Sequence, residues 1–362
     1  MDKKSLTVLE YDKILKKLSE FASSEQTKKS ILSMVPEDDI DKAKLKLDET
    51  DEAVSLLLKK GDTISLGEAN ILPALNRVNI GGILNLGELL SVVDVLKVAR
   101  KLKDFVLSND EADDKFPILA ALADTLTPLP SLENDVGAAI LSPEELSDTA
   151  SPKLYDIRRK MQRLQDKIQQ MLNDMIRSPR YQKYLQDPII TMRSGRYVLP
   201  VKSESRAEVA GVVHDNSSSG ATLFVEPIGV VNANNDIRDL LAEESKEIER
   251  ILAEFSARIG EHLVEITDDF HGISKADFMF ARARLALVQN ATKPALNTDG
   301  VVDLKNARHP LIDAKVVVAN DIYLGKDFTT LVITGPNTGG KTVTLKTIGL
   351  LALMAASGML AK

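Results

Sequence analysis

The residues that could do chemistry form the octapeptide Gly335-Pro336-Asn337-Thr338-Gly339-Gly340-Lys341-Thr342. Its spacing matches G-x-x-x-x-G-K-[ST], in which glycine lets the backbone approach phosphate groups and successive N–H groups surround an anion. Lys341 would bridge the β- and γ-phosphates of a nucleoside triphosphate, and Thr342 would bind Mg²⁺. The octapeptide therefore predicts a phosphate loop (Walker A) that takes ATP and Mg²⁺ as cofactors.

The flanking sequence supplies the context that such a loop requires. The apolar run FTTLVIT predicts a β-strand before it, and an amphipathic segment predicts a helix after it, whose positive end attracts phosphate. The alternative is a glycine-rich strand–helix turn that binds nothing. Hydrolysis also requires a second carboxylate that supports Mg²⁺ and orients water. No apolar strand pattern ends in Asp-Glu, so the catalytic residues are unknown. We expect the N-terminal portion of a longer ATPase, which alone binds ATP and hydrolyses essentially none.

Residues 1–150 are predicted to form a helical core, because apolar residues recur there at helical spacing. The individual signals are a capping box at Thr7 and Glu10, helical patterns at about 38–60 and 86–107, and a helix start at Ser142, Pro143 and Glu145. No internal repeat interrupts this pattern.

Two long helices, in residues 151–187 and 232–295, are predicted to form an antiparallel coiled-coil arm. The first starts at Ser151-Pro152, and its apolar residues recur at alternating steps of three and four, as in a heptad seam. The first seam contains Leu154, Ile157, Met161, Leu164, Ile168, Met171 and Met175, and the second contains Ile237, Leu241, Ile248, Ile251, Phe255 and Ile259. Packing in a bundle with residues 1–150 is the alternative.

Residues 188–231 are predicted to form a small β-rich tip on this arm. PIITMRSGRYVLPV is two strand-type runs around the turn dipeptide Ser194-Gly195, and AEVAGVVH and ATLFVEP follow around the turn cluster DNSSSG. Residues 296–362 are predicted to form the beginning of an α/β ATPase domain. Its predicted strands lie in VVDLKNARHPLI, KVVVANDIYLG and FTTLVIT.

The charge of the chain is unevenly distributed. The segment from Lys153 to Arg206 contains 13 Lys and Arg against 5 Asp and Glu, a net charge of +8. Since the whole chain has a net charge of −7, the remaining residues have a net charge of −15. Such a run is often only the solvated face of a coiled coil. Here it leads into cations on the predicted tip that are candidates for sequence-independent contact with phosphates. They are Arg193, Arg196, Lys202 and Arg206.

Composition excludes several other classes. The 362 residues suit a globular protein of two or three domains, and the absence of Cys excludes disulfides and Cys-ligated metals. The four His residues form no metal set. The N-terminal sequence lacks the apolar region of a signal peptide, and the longest apolar run, Ile348 to Ala361, is too short to span a bilayer. We therefore expect a cytoplasmic protein without a membrane partner.

Taken together, these features resemble one family. GPNTGGKT preceded by ARHPLI and NDIYLG resembles the MutS family of DNA-repair ATPases, and GVVHDNSSSGATLFVEPIGVVNANNDI resembles its MutS-two branch, which lacks the mismatch-reading and connector domains. The resemblance covers the whole chain and is strongest from about residue 150. It implies a mainly α fold: a helical core, a two-helix lever, a β-rich clamp at its tip and the start of a P-loop (ABC-type) ATPase domain.

The resemblance also implies functional features. The full-length protein is expected to be a homodimeric ATPase, usually with a small nuclease-type domain. In relatives an aromatic residue can pack on the adenine from the strand before NDIYLG, and Val317 matches that position. The expected function is an ATP-dependent clamp on branched or duplex DNA that limits homologous recombination. The alternatives are an ATPase that binds rRNA and splits collided ribosomes, and a structural coiled-coil protein with a vestigial loop.

Overall fold

The computed structural model of the protein describes residues 3–62, 64–67, 69–108, 116–335 and 340–362. The fold is mainly α with small antiparallel sheets, as the sequence predicts. The chain divides into two compact units. The first unit comprises residues 1–81, 90–134 and 259–362, and the second comprises residues 82–89 and 135–258. The four-part division expected from the sequence stays a prediction.

Helices make up the N-terminal part of the chain. They are α1 (Lys3–Val8), α2 (Tyr11–Ser19), α3 (Glu25–Leu32), α4 (Ile40–Lys60), α5 (Leu72–Asn79), α6 (Leu86–Leu107), α7 (Pro117–Thr125) and α8 (Pro130–Ala139). The helices predicted near residues 38–60 and 86–107 are confirmed as α4 and α6. The side chain of Asp39 begins α4 by accepting a hydrogen bond from the Asp41 N–H at 2.9 Å.

The predicted capping box at Thr7 and Glu10 is wrong. Thr7 lies inside α1, and Glu10 separates α1 from α2 with a left-handed backbone, φ 61° and ψ 30°. The Glu10 carboxylate pairs with Lys13 and, at 2.8 Å, with Lys346. The hydrogen bond from Lys13 contributes most, followed by that from Lys346, and together they lower the pKa of Glu10 to about 2. The acid that a capping box needs is therefore engaged by two cations instead.

The predicted helix start at Ser142 is also wrong. Residues 140–146 form a hairpin of β1 (Ile140–Ser142) and β2 (Glu145–Leu146). The Ser142 hydroxyl accepts a hydrogen bond from the Glu144 N–H at 3.2 Å and so stabilises a tight turn through Pro143. Serine followed by proline suits a turn as well as a helix start, and the local pattern does not distinguish the two.

Two long helices of the second unit pair along their length. The helices that follow the hairpin are α9 (Pro152–Arg177), α10 (Pro179–Gln182) and α11 (Ile228–Glu261). The Ser151 hydroxyl caps the first turn of α9, as predicted. Arg158 in the first half of α9 donates to Glu244 at the middle of α11 at 2.6 Å, whereas Ile168, further along α9, packs with Ile237 nearer the start of α11. This antiparallel pairing is the predicted one.

The apolar stripe predicted on α11 is buried at four of its six positions, which are Ile237, Ile251, Phe255 and Ile259. Leu241 belongs to that stripe but is 50% exposed, whereas Glu247 lies outside it and is 1% exposed. Burial of Glu247 is tolerated because Ser151 donates to its carboxylate at 2.9 Å and Arg250 at 2.8 Å. Leu240, beside Leu241, lines the groove against α9. An acidic residue outside the predicted stripe is therefore buried because its polar partners satisfy it.

Residues 188–231, all of which the structure describes, fold into the predicted strands. The strands are β3 (Thr191–Arg193), β4 (Arg196–Lys202), β5 (Gly211–Asn216) and β6 (Thr222–Pro227). They form one antiparallel sheet in the order β3-β4-β6-β5, which we call the tip sheet. Its fully buried Leu199 and Val225 pack in one cluster with Ile168 and Leu172 of α9. This apolar contact fixes the tip sheet to the end of α9.

The elements around the phosphate loop belong to the first unit. They are α12 (Leu263–Gln289), β7 (Val302–Ala307), β8 (Asn320–Leu324) and α13 (Lys341–Ala356). The long helix predicted over 232–295 is instead divided at His262, where the backbone leaves helical geometry. FTTLVIT, residues 328–334, forms no strand, so that prediction is wrong, and its Val332 is 76% exposed. A strand needs a neighbour for its backbone hydrogen bonds, and no described residue provides one there.

Candidate nucleotide and nucleic-acid sites

The phosphate loop lies directly before α13. Gly340 precedes the first helical residue, Lys341, with a left-handed backbone, φ 76°, that glycine adopts without strain. The Lys341 ammonium donates a hydrogen bond to the Gly335 carbonyl, so the side chain turns back over the loop. The four residues between the flanking glycines lie outside the described residues, and they are Pro336, Asn337, Thr338 and Gly339.

The described residues after this gap, Lys341 and Thr342, have the chemistry expected for binding the phosphates of a nucleotide and a magnesium ion. The first turn of α13 contains no acidic side chain, so nothing there opposes the positive end of the helix. Lys341 adds a positive charge at the same end, and Thr342 is exposed in the first turn with the hydroxyl expected to bind Mg²⁺. The arrangement can attract a polyphosphate electrostatically. Binding of ATP and Mg²⁺ stays a prediction.

Metal clusters and membrane helices are both absent from the described residues. No group of three or more His, Asp or Glu side chains is arranged there to hold a metal ion. In the same ranges, no helix combines the length and apolar character needed to cross a bilayer. The buried His309 lies in a turn, where its Nδ1 accepts from the Leu311 N–H at 3.3 Å, and burial lowers its pKa. The catalytic residues stay unknown.

The sequence predicts a strand at Val317, but this residue does not lie in one. The N–H groups of Val316 and Val317 both donate to the Asp313 carbonyl, at 3.0 and 2.9 Å, which forms a turn. β8 begins only at Asn320. The position that matches the adenine-packing residue of relatives is therefore a turn position, and its side chain carries no ring for stacking.

Arg196 is part of a buried polar cluster around Glu226, which is 1% exposed. Arg196 donates to both oxygens of this carboxylate at 2.8 and 3.0 Å, and Asn234 donates to it at 2.8 Å. His214 Nε2 lies 2.5 Å from the same carboxylate, and Arg196 also reaches Asn235 at 2.6 Å. Arg196 is therefore engaged by a buried carboxylate that requires a counter-charge, and its contact with phosphates stays a prediction.

The Glu226 cluster contains three residues of the motif GVVHDNSSSGATLFVEPIGVVNANNDI. His214, Glu226 and Asn234 come from β5, β6 and α11, and the cluster joins these elements. Gly211 at the start of β5 lies so close to β6 that an added Cβ would be 2.1 Å from the Glu226 carbonyl oxygen. These motif residues therefore have structural roles within the tip sheet.

Two more of the predicted cations make contacts within the tip sheet. Arg206 donates to the carbonyls of Val209 at 2.9 Å and Gly211 at 2.7 Å, and so holds the connection between β4 and β5. The Arg193 guanidinium lies 4.0 Å from the centre of the Phe224 ring. Contact of these residues with nucleic acid stays a prediction.

Lys202 belongs to a basic surface that the sequence reasoning missed. Its ammonium donates to the Lys183 carbonyl at 3.2 Å, and Lys183 is exposed, as is Arg180 three residues before it. Each of these two cations lies over the tyrosine that follows it, at 5.6 Å for Arg180 and 4.7 Å for Lys183. The signal was present as alternating basic and aromatic residues in PRYQKY. We call Arg180, Lys183 and Lys202 the basic edge.

Comparisons with known proteins give one consistent result. No protein-family model matches the chain. It is 47% identical to Endonuclease MutS2 of Clostridioides difficile, and 44% identical to the proteins of that name from Acetivibrio thermocellus and Alkaliphilus oremlandii. Each match covers 99% of this chain and 45% of the relative, so the chain spans less than half the length of these curated relatives. This identity, along nearly the whole chain, shows that the chain belongs to the MutS2 branch of the MutS family.

Proposed function

We propose that the chain is part of a MutS-like ATPase that binds Mg-ATP at the phosphate loop and grips branched or duplex DNA without reading its sequence. The observation that carries the nucleotide proposal is the start of α13, where Lys341 turns back to the Gly335 carbonyl beside the positive helix end. The relatives are named endonucleases, which supports nucleic acid as the partner.

The DNA contact that we propose lies on the basic edge rather than on all four cations suggested by the sequence. Arg196 and Arg206 already donate to groups of the tip sheet, so their contribution to a phosphate contact would cost those bonds. Arg180 and Lys183 are exposed, and the Lys202 ammonium donates to one backbone carbonyl, that of Lys183. Contacts from such side chains to phosphates fix a protein on DNA without specifying sequence.

The nucleotide proposal is tested by titrating the chain with a fluorescent ATP analogue and Mg²⁺. We expect Lys341→Ala to abolish saturable binding, because it removes the charge expected to contact the β- and γ-phosphates. Lys305→Ala removes an exposed lysine of β7 and should leave binding unchanged. Equal affinity of the two variants would refute the site. Steady phosphate release that depends on Lys341 would contradict the expectation of binding without hydrolysis.

The DNA proposal is tested with a labelled four-way junction and duplexes of unrelated sequence. With three phosphate contacts, log K should fall against log salt with a slope near −3, roughly 0.9 per contact. Replacing Arg180, Lys183 and Lys202 by Ser should weaken binding to every DNA by a similar factor. The matched control replaces three exposed lysines of the first unit by Ser, and they are Lys44, Lys101 and Lys315. A basic-edge variant with wild-type affinity and slope would exclude this surface.

Limiting homologous recombination, homodimerisation and nuclease activity are proposals for the longer protein. The ribosomal alternative is not favoured by the name of the relatives. Collided ribosomes therefore serve as the competing ligand in the same experiment. The competitors are added to the chain bound to labelled junction DNA. If collided ribosomes displace the junction DNA and duplex DNA does not, DNA is not the main partner. Saturable nucleotide binding would exclude the structural coiled-coil reading.

A further inference from the structure

The C-terminal end of the phosphate-loop helix α13 is buried. The Ser357 hydroxyl donates to the Leu353 carbonyl at 2.8 Å, so the Tyr11 hydroxyl, 2.6 Å away, donates to Ser357. Burial raises the pKa of Tyr11 to about 12, so its hydroxyl stays protonated at neutral pH. The Glu37 N–H donates to the Ala356 carbonyl at 3.0 Å. Groups from α2 and from the segment before α4 therefore satisfy the last turn of α13.

Gly358 extends this contact to α4 and α12. The Thr50 hydroxyl donates to the Gly358 carbonyl at 2.6 Å, and both groups are buried. Gly358 has φ 76°, and an added Cβ would lie 2.2 Å from Nη1 of Arg282. The guanidinium can therefore approach only because this residue is glycine. We call Tyr11, Thr50 and Arg282 the α13 socket.

Arg282 is a buried cation at the negative end of α13. It is 2% exposed, and its Nη2 donates to Glu49 at 2.7 Å, while its Nε and Nη1 have no hydrogen-bond partner in the described part of the chain. A cation at the C-terminal end of a helix interacts favourably with the helix dipole. The last turn of α13 contains no basic residue of its own. Arg282 on α12 therefore supplies the charge that α13 lacks.

We propose that the α13 socket is a positioning device for the phosphate loop, with Arg282 as its main positioning residue. Lys341 and Thr342 lie at one end of α13, and the socket holds the other end of the same 16-residue helix. A helix of this length spans about 24 Å, and fixing its far end restricts the direction in which its first turn presents N–H groups. The inference rests on the proposed nucleotide binding, which it deepens.

The test separates stability from nucleotide affinity. Arg282→Met alone leaves the Glu49 carboxylate buried without its main partner and should lower Tm strongly. The double variant Glu49→Leu/Arg282→Met replaces both charges by apolar groups, a change that buried ion pairs often tolerate. We expect this double variant to have a Tm near wild type but an affinity for the fluorescent ATP analogue reduced about 5- to 10-fold. A double variant with wild-type Tm and wild-type affinity would overturn the inference.

Two further measurements keep the test decisive. Lys275→Met removes an exposed cation that lies 3.4 Å from the same Glu49, and it should change neither Tm nor affinity. Hydrogen exchange of the α13 amides, measured without nucleotide, should be faster in the double variant than in wild type. If the wild-type chain binds no Mg-ATP, the proposed function fails while the exchange result still decides whether the socket orders α13. Unchanged exchange would refute the socket independently of nucleotide.

Discussion

Arg196 donates to both carboxylate oxygens of Glu226, at 2.8 and 3.0 Å, and this pairing makes a cation of the tip sheet part of its interior. His214 and Asn234 contact the same carboxylate from β5 and α11. With Arg196 in β4 and Glu226 in β6, the cluster therefore links three strands and a long helix through one buried charge. Its members determine how the tip sheet is held, and the phosphate contact that we propose lies instead on the basic edge.

Arg196→Ser should destabilise the second unit by about 3 kcal/mol, because it leaves the buried Glu226 without its main counter-charge. Arg180→Ser, which removes an exposed arginine of the basic edge, should change stability by less than about 0.5 kcal/mol. Urea unfolding followed by circular dichroism measures both. Similar small effects of the two substitutions would show that the Glu226 cluster contributes little to stability.

Glu247 should make the second unit sensitive to acid. Hydrogen bonds, first from Arg250 and then from Ser151, hold its pKa at about 2, below its ordinary value of 4.5. Its stabilising contribution is therefore present above pH 4.5 and is lost as the pH falls from 4.5 towards 2. Unfolding free energies measured across this range should depend less on pH in Glu247→Gln. The control Glu254→Gln removes an exposed acid that pairs with the same Arg250, and it should leave the pH dependence in place.

Asp269 should have the opposite effect in the first unit. Burial raises its pKa from 3.8 to about 6, although the Thr127 N–H donates to it at 2.7 Å. Protonated Asp269 therefore contributes to the stability of the folded state below pH 3.8, and this contribution to stability is lost as the pH rises through 6. Asp269→Asn should raise the unfolding free energy at pH 7.5, because a neutral amide does not carry the desolvation cost of a buried charge. The exposed neighbour gives the control, Asp268→Asn, which should show no gain. A loss of stability in Asp269→Asn would contradict this account.

The arm offers a matched pair of substitutions. Ile168 of α9 is fully buried against the tip sheet, so Ile168→Ala should lower the unfolding free energy by about 2 to 4 kcal/mol. Leu241 has the helical spacing of a seam residue but is half exposed, so Leu241→Ala should cost less than about 0.5 kcal/mol. Chemical unfolding of both variants measures the difference. Equal costs would mean that Leu241 is as buried in solution as Ile168.

Local signals in the sequence predicted much of this fold. Ser151 followed by proline marks the start of α9, and apolar spacing placed α4, α6 and the antiparallel arm correctly. The turn clusters between β-type runs located the tip sheet. In these cases neighbouring residues determine the structure, through capping, turn formation or a continuous apolar face.

Several differences from the sequence predictions involve distant partners. Glu10 pairs with Lys346 instead of forming a capping box, and Ser151, 96 residues away, donates to the buried Glu247. Arg196 lies 30 residues before Glu226, so the sequence gives no hint that this candidate cation pairs with a buried acid. A pattern of residue types records hydrophobicity, whereas these positions depend on which charge lies opposite in the folded chain.

The hydrogen bond between Tyr11 and Ser357 has a consequence for biosynthesis, because 346 residues separate its two ends. The bond between Thr50 and Gly358 likewise joins residues 308 positions apart. At a synthesis rate of roughly 5 to 20 residues per second, about 20 to 70 s pass before Tyr11 can meet its partner. During that time α2 and α4 emerge with apolar faces that only later segments cover. Most of the second unit is continuous in sequence and can fold earlier, so the nascent N-terminal helices are the part of this chain most exposed to chaperones and to aggregation.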